Sequence, residues 1–445
     1  MYAGAETAIT QESIHILETT QSLCSECLKV IDADITIEDG AVYMHKSCPE
    51  HGDFRHYLWP DADHYQWHKS FTFGSVLPSH PQPVDESCPR DCGLCVDHQK
   101  HPRLVELELT HRCNLRCPLC FMSAMDERDA LAAELSLDEI AARLEAIREQ
   151  AGPQVSIQLT GGEPTIRKDL PEIVRLCRQA GFSAIEVNTN GVRIGKDENY
   201  VRELAAAGIT GVYMQFDGLD DEVYRQIRGA DLLDIKLKAI EHCRAAAVQV
   251  VLSMAVVKGV NEAQMGDVLR FGLNNIDVIA GIAYQPAFRS GRFEVDSDLP
   301  LTMGDVIFQL AGQSRGVIRP YDLWPTGCSH PLCDATTYIV RQFGRGYKAL
   351  GQLVDAERYL EHYRLDSPQG SVLPDLADEL CPDMVGPGLS ILVMNYMSAH
   401  DFDLSRLKQC SMTVAGPDGR LLPFCSYQLT ANDGRRLHDF SSCSA

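Results

Sequence analysis

Cys113, Cys117 and Cys120 stand in CxxxCxxC spacing within His-Arg-Cys-Asn-Leu-Arg-Cys-Pro-Leu-Cys-Phe, residues 111–121, directly after a strand-like apolar run. Three thiolates on one tight loop hold three irons of a 4Fe–4S cube and leave the fourth iron open. An open iron is where a small molecule can be chelated and reduced by one electron. Phe121 follows the last cysteine, and Gly161-Gly162-Glu163-Pro164 ends the next predicted strand. The thiols alone also suit a zinc knuckle or a plain electron-transfer cluster. The strand–helix pattern that follows favours the open iron.

That pattern alternates from about residue 104. Strands are expected at Leu104–Thr110, Val155–Thr160, Ala184–Asn188, Gly211–Phe216, Gln249–Val257 and Val278–Tyr284. Between them lie helical stretches: Leu137–Gln150 with a Ser136/Glu139 capping box, a helix capped by Asp169 and running to Gly181, Tyr200–Ala207, Asp234–Ala247 and Gln264–Gly272. Six βα units imply parallel strands with helical crossovers, and hence an α/β fold built on a partial (β/α)6 barrel. Chemistry in such folds sits at the C-terminal strand ends. The cluster loop, the GGEP segment, Asn190, Gln215, Asp217, Lys258 and Arg289 all fall at or just past such ends, and Ser253 lies along the fifth strand.

Three further cysteine groups surround this centre. Cys24-x-x-Cys27 and Cys48-x-x-His51, with short β-like stretches at Ile35–Ile37 and Ala41–Met44, make two knuckles joined by a hairpin and a tetrahedral site for zinc or a single iron. A module of that size has too little core to stand without its metal. Cys88, Cys92 and Cys95 repeat the CxxxCxxC spacing after a Pro-rich connector (Pro78, Pro81, Pro83), with Val96 in place of the aromatic residue. They are read as an auxiliary cluster, with His98, His101 or a distant cysteine as fourth ligand. Cys328 and Cys333 pair with Cys410 and Cys425, which flank a hairpin turn at Pro417-Asp418-Gly419-Arg420, as a second auxiliary set. Cys177 and Cys243 lie on helical patterns and read as buried apolar residues. Cys381 and Cys443 have no assigned role.

The 445 residues suggest several domains: a metal-knuckle module at 1–75, an auxiliary-cluster linker at 76–103, the barrel at 104–300 and a Cys-rich auxiliary-cluster region at 301–445. A net charge of −22 and a pI near 5.0 argue against a nucleic-acid partner. The N-terminus shows no secretory pattern, and the longest apolar run, Val248–Val257, is too short to span a bilayer, so no transmembrane segment and a cytoplasmic location are expected. In a reducing compartment the 17 cysteines read as metal ligands rather than disulfides.

The cluster loop, Phe121 and the GGEP segment together resemble the radical S-adenosylmethionine (SAM) superfamily. That resemblance implies SAM on the open iron and its cleavage to a 5′-deoxyadenosyl radical. It places Phe121, Gly161, Gly162, Glu163, Asn190, Gln215, Asp217, Ser253 and Arg289 around SAM, with the glycines at its amino group, Glu163 on the ammonium and Arg289 on a carboxylate. The order of all the cysteine groups, from about 20 to 428, resembles the tetraether synthase group and its class D, dihydropterin-methylating relatives. That group carries a further Cys where this chain has Arg103. The resemblance implies about three 4Fe–4S clusters, one zinc or mononuclear iron, and a reductant such as flavodoxin or ferredoxin. The expected reaction is hydrogen abstraction followed by C–C bond formation on a small-molecule or lipid substrate, as alkyl coupling or methylation. Coupling needs a long apolar tunnel, for which Leu389–Met397 and Tyr338–Val340 are candidates. Methylation of a pterin-like ring needs a polar, aromatic-lined pocket and a folate-type or second SAM donor. Oxidation or cross-linking of a peptide or small molecule is the competing enzymatic reading, and an Fe–S electron carrier the non-enzymatic one.

Overall fold

The structure is a computed structural model that describes residues 15–78, 81–82, 88–90, 92–124, 134–294, 301–344, 346–362, 373–438 and 440. Pro83, Asp91 and Cys443 lie outside the described residues. The N-terminal part is an antiparallel sheet in simple order: β1 (His15–Leu23), β2 (Val30–Glu38), β3 (Ala41–Cys48) and β4 (Gly52–Trp59). Its strands run well beyond the two short stretches legible in the sequence. A helix at Ala62–Lys69 follows, capped by Asp61, whose carboxylate accepts from the His64 amide at 2.7 Å.

The barrel strands are β5 (Leu104–Glu108), β7 (Ser156–Thr160), β8 (Ile185–Thr189), β9 (Gly211–Gln215), β10 (Gln249–Val256) and β11 (Ile279–Pro286), each parallel to the next. Two-residue strands β6 (Leu119–Cys120) and β12 (Arg292–Phe293) pair with each other. The last five are β13 (Asp334–Gln342), β14 (Gly346–Ala349), β15 (Leu389–Met394), β16 (Met412–Ala415) and β17 (Leu421–Pro423). Among the described residues the sheet order is β14-β13-β15-β11-β10-β9-β8-β7-β5-β16-β17. Chain from beyond residue 300 therefore continues the barrel sheet at both edges: β15 lies parallel to β11, and β16 parallel to β5.

The strands alternate in an informative way. In β5, Val105 and Leu107 are fully buried in the outer core, while on the opposite face Glu106 lines the lumen and Glu108 accepts from Tyr427 at 2.9 Å. The outer core is continuous from Ile35, Met44 and Trp59 of the N-terminal sheet through Ile157, Val187 and Leu252 of the barrel. The Ser136/Glu139 capping box forms as expected. Asp169 does not cap its helix: no side-chain capping bond forms, and its carboxylate is held by Arg167 at 2.9 and 2.7 Å. Helices at Val192–Lys196 and Asp221–Arg228 were not anticipated.

His68 gives the N-terminal unit a pH dependence. It is fully buried with its ring nitrogen 3.1 Å from the Asp334 carbonyl, and burial pushes its pKa down to about 3. The folded chain keeps it neutral while the unfolded chain takes a proton below about 6.5, so its contribution is complete above that pH and declines as pH falls toward 3. Between pH 7.5 and 5 the loss is about 2 kcal/mol. Urea titrations at both pH values should show the wild type losing that much more than His68→Gln.

Candidate active site

One cavity of about 600 Å³ occupies the barrel lumen and its C-terminal mouth. Cys113, Cys117 and Cys120 all line it. The loop that carries them is clamped from the far side of the barrel: β12 pairs with β6, Arg292 donates to the Cys117 carbonyl at 3.1 Å, and the Leu115 amide donates to the Cys113 sulfur at 3.4 Å. Burial pushes the Cys113 thiol up to about 12 and raises Cys117. Lone thiolates are disfavoured there, and a bound cationic cluster is what would stabilise three of them together.

The glycine pair has a different first task from the expected one. A Cβ on Gly161 would lie 2.3 Å from the Thr110 carbonyl oxygen, and one on Gly162 would lie 2.2 Å from that of Arg112. Gly161 also has φ +135°, a conformation reserved for glycine. The Gly162 and Glu163 amides donate to Thr110 and Arg112 at 2.7 and 2.8 Å. The pair thus zips β7 onto the root of the cluster loop, and an ammonium can meet only its carbonyls. Glu163 is equally committed. Its carboxylate accepts from the amide and hydroxyl of Thr165, from Thr189 Oγ1 at 2.7 Å and from the Asn190 amide at 2.7 Å. Burial raises its pKa while these donors lower it. It ties β7 to β8 and also faces the cavity.

Of the other expected SAM-site residues, Phe121, Asn190, Gln215 and Ser253 line this cavity. Asn190 donates to Asn114 Oδ1 at 2.7 Å, and Ser253 donates to Gln285 Oε1 at 3.2 Å. Asp217 does not reach it. It is fully buried in a two-bond ion pair with Arg228 at 2.8 and 2.9 Å, and it accepts from the Ala255 amide. Arg289 also falls elsewhere, in a second cavity of about 310 Å³ between the N-terminal sheet and the loop after β11. Lys258 is exposed.

The structure brings Cys328, Cys333, Cys410 and Cys425 onto the wall of the main cavity, and β16 and β17 form the hairpin that carries the last two. Polar groups surround the sulfurs: Thr326 Oγ1 lies 3.0 Å from Cys328, the Met397 amide donates to Cys425 at 3.4 Å, and buried Arg406 reaches Cys333 at 3.8 Å. Cys88, Cys92 and Cys95 stand away from the cavity, with the first two thiols hydrogen-bonded to each other. His98 and His101 each use a ring nitrogen on a backbone carbonyl, of Cys410 at 2.8 Å and Ala151 at 2.9 Å. Arg103 lines the main cavity. Cys177 and Cys243 are fully buried among apolar side chains, with pKa values pushed up to about 12. Cys381 is buried in a separate apolar cluster with Tyr338 and Val340, so that pair does not line the lumen, whereas Ser390, Leu392, Met394 and Tyr396 of the Leu389–Met397 stretch do.

Sequence reasoning missed the lumen itself. Glu106, Gln158, Glu186, Asn188, Tyr213 and Gln285 line it, one or two from each of five barrel strands. Period-two alternation inside strands that are buried on both faces was the available signal. An aromatic wall completes the mouth: Phe121, Phe288, Tyr396 and Phe424 pack with ring centroids 4.6–5.8 Å apart in successive pairs.

The N-terminal metal ligands converge. The ligand atoms of Cys24, Cys27, Cys48 and His51 all lie within 4.8 Å of one another, with Cys27–Cys48 at 3.9 Å and His51 Nδ1 at 3.6 and 3.4 Å from Cys24 and Cys48. A tetrahedron of ligands around one ion sets edges of about 3.8 Å. Four donors on one ion fit, and a cluster does not. Chelation, or Cys24→Ser, should unfold the β1–β4 sheet and lower soluble yield, read as loss of near-UV signal from Trp59 and a fall in bound metal of about one per chain.

Residues 107–272 match the family model for the radical SAM superfamily, and residues 16–60 match that for the HMPTM N-terminal zinc ribbon domain. The class is thus a radical SAM protein with a zinc ribbon. The chain is 32% identical over 471 aligned positions, covering 92% of each sequence, to 7,8-dihydro-6-hydroxymethylpterin dimethyltransferase of Methanocaldococcus jannaschii, and it belongs to that radical SAM enzyme family. A probable GTP 3′,8-cyclase of Pyrococcus abyssi is 33% identical over 201 residues, covering 44% of this chain and 62% of that one. Among solved structures, the FeFe-hydrogenase maturase HydG of Carboxydothermus hydrogenoformans covers 48% of this chain and 53% of its own at 16% identity, with a TM-score of 0.40. Membership implies a 4Fe–4S cluster and SAM. Among the described residues no helix is long and apolar enough to cross a membrane.

Proposed function

We propose that this chain is a radical SAM methyltransferase that adds one-carbon units to a pterin-type ring. The observation that carries the reading is the placing of carboxyl, amide and phenol groups on the strands of an otherwise largely apolar lumen, with an aromatic wall at the mouth and thiols at two places on its surface. A flat heterocycle with N–H and C=O edges uses both kinds of surface, its faces against the apolar side chains and its edges at the polar ones, whereas an alkyl chain would leave the buried carboxyl and amide groups unmatched. The relative's printed activity on a dihydropterin points the same way.

When bound, SAM on a cluster held by Cys113, Cys117 and Cys120 supplies a hydrogen-abstracting radical. The chain's own part is placement. Phe121, Asn190, Gln215 and Ser253 border the SAM region, the carbonyls of Gly161 and Gly162 offer acceptors to its ammonium, and the aromatic wall excludes water. A cluster on Cys328, Cys333, Cys410 and Cys425 lies on the same chamber and suits electron exchange with substrate. One on Cys88, Cys92 and Cys95, outside the chamber, suits passage of electrons from an external reductant such as flavodoxin or ferredoxin.

The test is anaerobic reconstitution with dithionite, 6-hydroxymethyl-7,8-dihydropterin and SAM, one SAM serving as radical source, and the one-carbon donor being either a second SAM, read as S-adenosylhomocysteine, or an added folate-type donor. Pterin-dependent 5′-deoxyadenosine together with a one-methylene mass gain on the pterin is expected. Deoxyadenosine that rises instead with a peptide or a lipid alkyl chain, with the pterin unchanged, overturns the reading.

A further inference from the structure

Glu106 stands out in the lumen. It lies on β5 in register with Gln158 of β7, which is in register with Glu186 of β8, so the three form a polar ladder across the barrel wall. Glu106 is 2% exposed, and its Oε2 has no hydrogen-bond partner. None of its neighbours supplies one. Gln158 donates to Glu186 Oε2 at 3.2 Å and accepts from Asn188 at 3.3 Å. Glu108, the nearest charge, is another acid and is satisfied by Tyr427 at 2.9 Å and Gln428 at 3.2 Å. A buried carboxyl lacking a donor destabilises the free protein, so the fold alone gives no reason for an acid here. The unpartnered oxygen lines the cavity, where a ligand's donor can reach it.

The lining sets the chemistry of that ligand. Burial, with Glu108 beside it, pushes Glu106 up to about 8, so the empty site holds a neutral acid; a ligand with two parallel N–H donors selects the ionised form, which takes such a pair best. The 2-amino-4-oxopyrimidine edge of a pterin carries an amino group beside a ring N–H, in that parallel arrangement. Resting on the pterin reading above, we propose that Glu106 is the specificity-determining anchor for this aminopyrimidine edge, and so orients the ring in the chamber.

The experiment uses the reconstituted holoenzyme and equilibrium binding of 6-hydroxymethyl-7,8-dihydropterin, beside its analogue with a 2-oxo group in place of the 2-amino group. Wild type should prefer the amino form. Glu106→Gln should weaken pterin binding about 10- to 100-fold and remove the preference, while substrate-independent SAM cleavage and iron content stay at wild-type levels. Its thermal midpoint should hold or rise, because an amide removes the burial penalty of the acid; a purely structural glutamate would lower it. If Glu106→Gln loses iron or stability, Glu106→Asp, which keeps the acid but withdraws it by one methylene, carries the test on the same affinity readout. Wild-type pterin binding with unchanged affinity and preference in the variant overturns the anchor and leaves the pterin reading standing. Absence of pterin binding by the wild type itself overturns both.

Discussion

Cys117→Ala should reduce 5′-deoxyadenosine formation below detection, the largest functional loss expected from one substitution in this chain. Cys117 is the middle thiol of three that share the main cavity, and its loop is fastened by Arg292 and by the β6–β12 pair. With two ligands left, a cube cannot be held with one open iron, and about four irons per chain should go with it. Because Cys328, Cys333, Cys410 and Cys425 lie on different strands and loops, their iron should stay. Cys177→Ala is the matched control, since that thiol is buried in the apolar core far from any ligand set, and it should retain full SAM cleavage. Iron assay and chromatography of deoxyadenosine decide the matter; cleavage persisting in Cys117→Ala would move the SAM cluster to another set of thiols.

The largest loss of stability is expected from Asp217→Ala. Asp217 is fully buried and makes two bonds to Arg228, which also donates to the Leu119 carbonyl at 3.1 Å. Removing the acid strands a buried guanidinium beside the cluster loop, at a cost of about 3–5 kcal/mol. Asp217→Ala with Arg228→Leu should recover much of that, because removing both charges avoids the orphan. A residue that bound SAM would behave in the opposite way: weaker SAM affinity at unchanged stability, and no rescue by the second change. Denaturant titration alongside SAM binding separates the two.

Asp217 also shows where sequence stops being informative. Its position past a strand end was legible, but its partner lies 11 residues on, in the helix Asp221–Arg228, which the sequence did not reveal. Arg289 sits past the right strand, yet the loop there turns toward the N-terminal sheet and not into the barrel. The Cys24, Cys27, Cys48 and His51 set was legible because two knuckles at metal-ligand spacing have few other uses. The strands were legible because βα alternation repeats. Pairing of β16 with β5 was not, since that contact joins residues some three hundred positions apart and leaves no periodic trace. The polar lumen went unread because Glu106, Gln158 and Glu186 look like the solvent face of ordinary strands until the topology closes over them.

The edge pairing has a consequence for biosynthesis. β5 is the first barrel strand to leave the ribosome, and its neighbour β16 is among the last. The Asn432 amide then donates to the Ser25 carbonyl at 2.9 Å, joining the chain's final stretch to its first metal knuckle. Until residues 410–425 have been made, the barrel has an open edge at β5, and Cys410 and Cys425 are not yet present. The loop of Cys113, Cys117 and Cys120 thus exists in a partly made chain, whereas the four-thiol set exists only once Cys425 has been added. Assembly of the two thiol sets is ordered by synthesis itself, the cluster loop first.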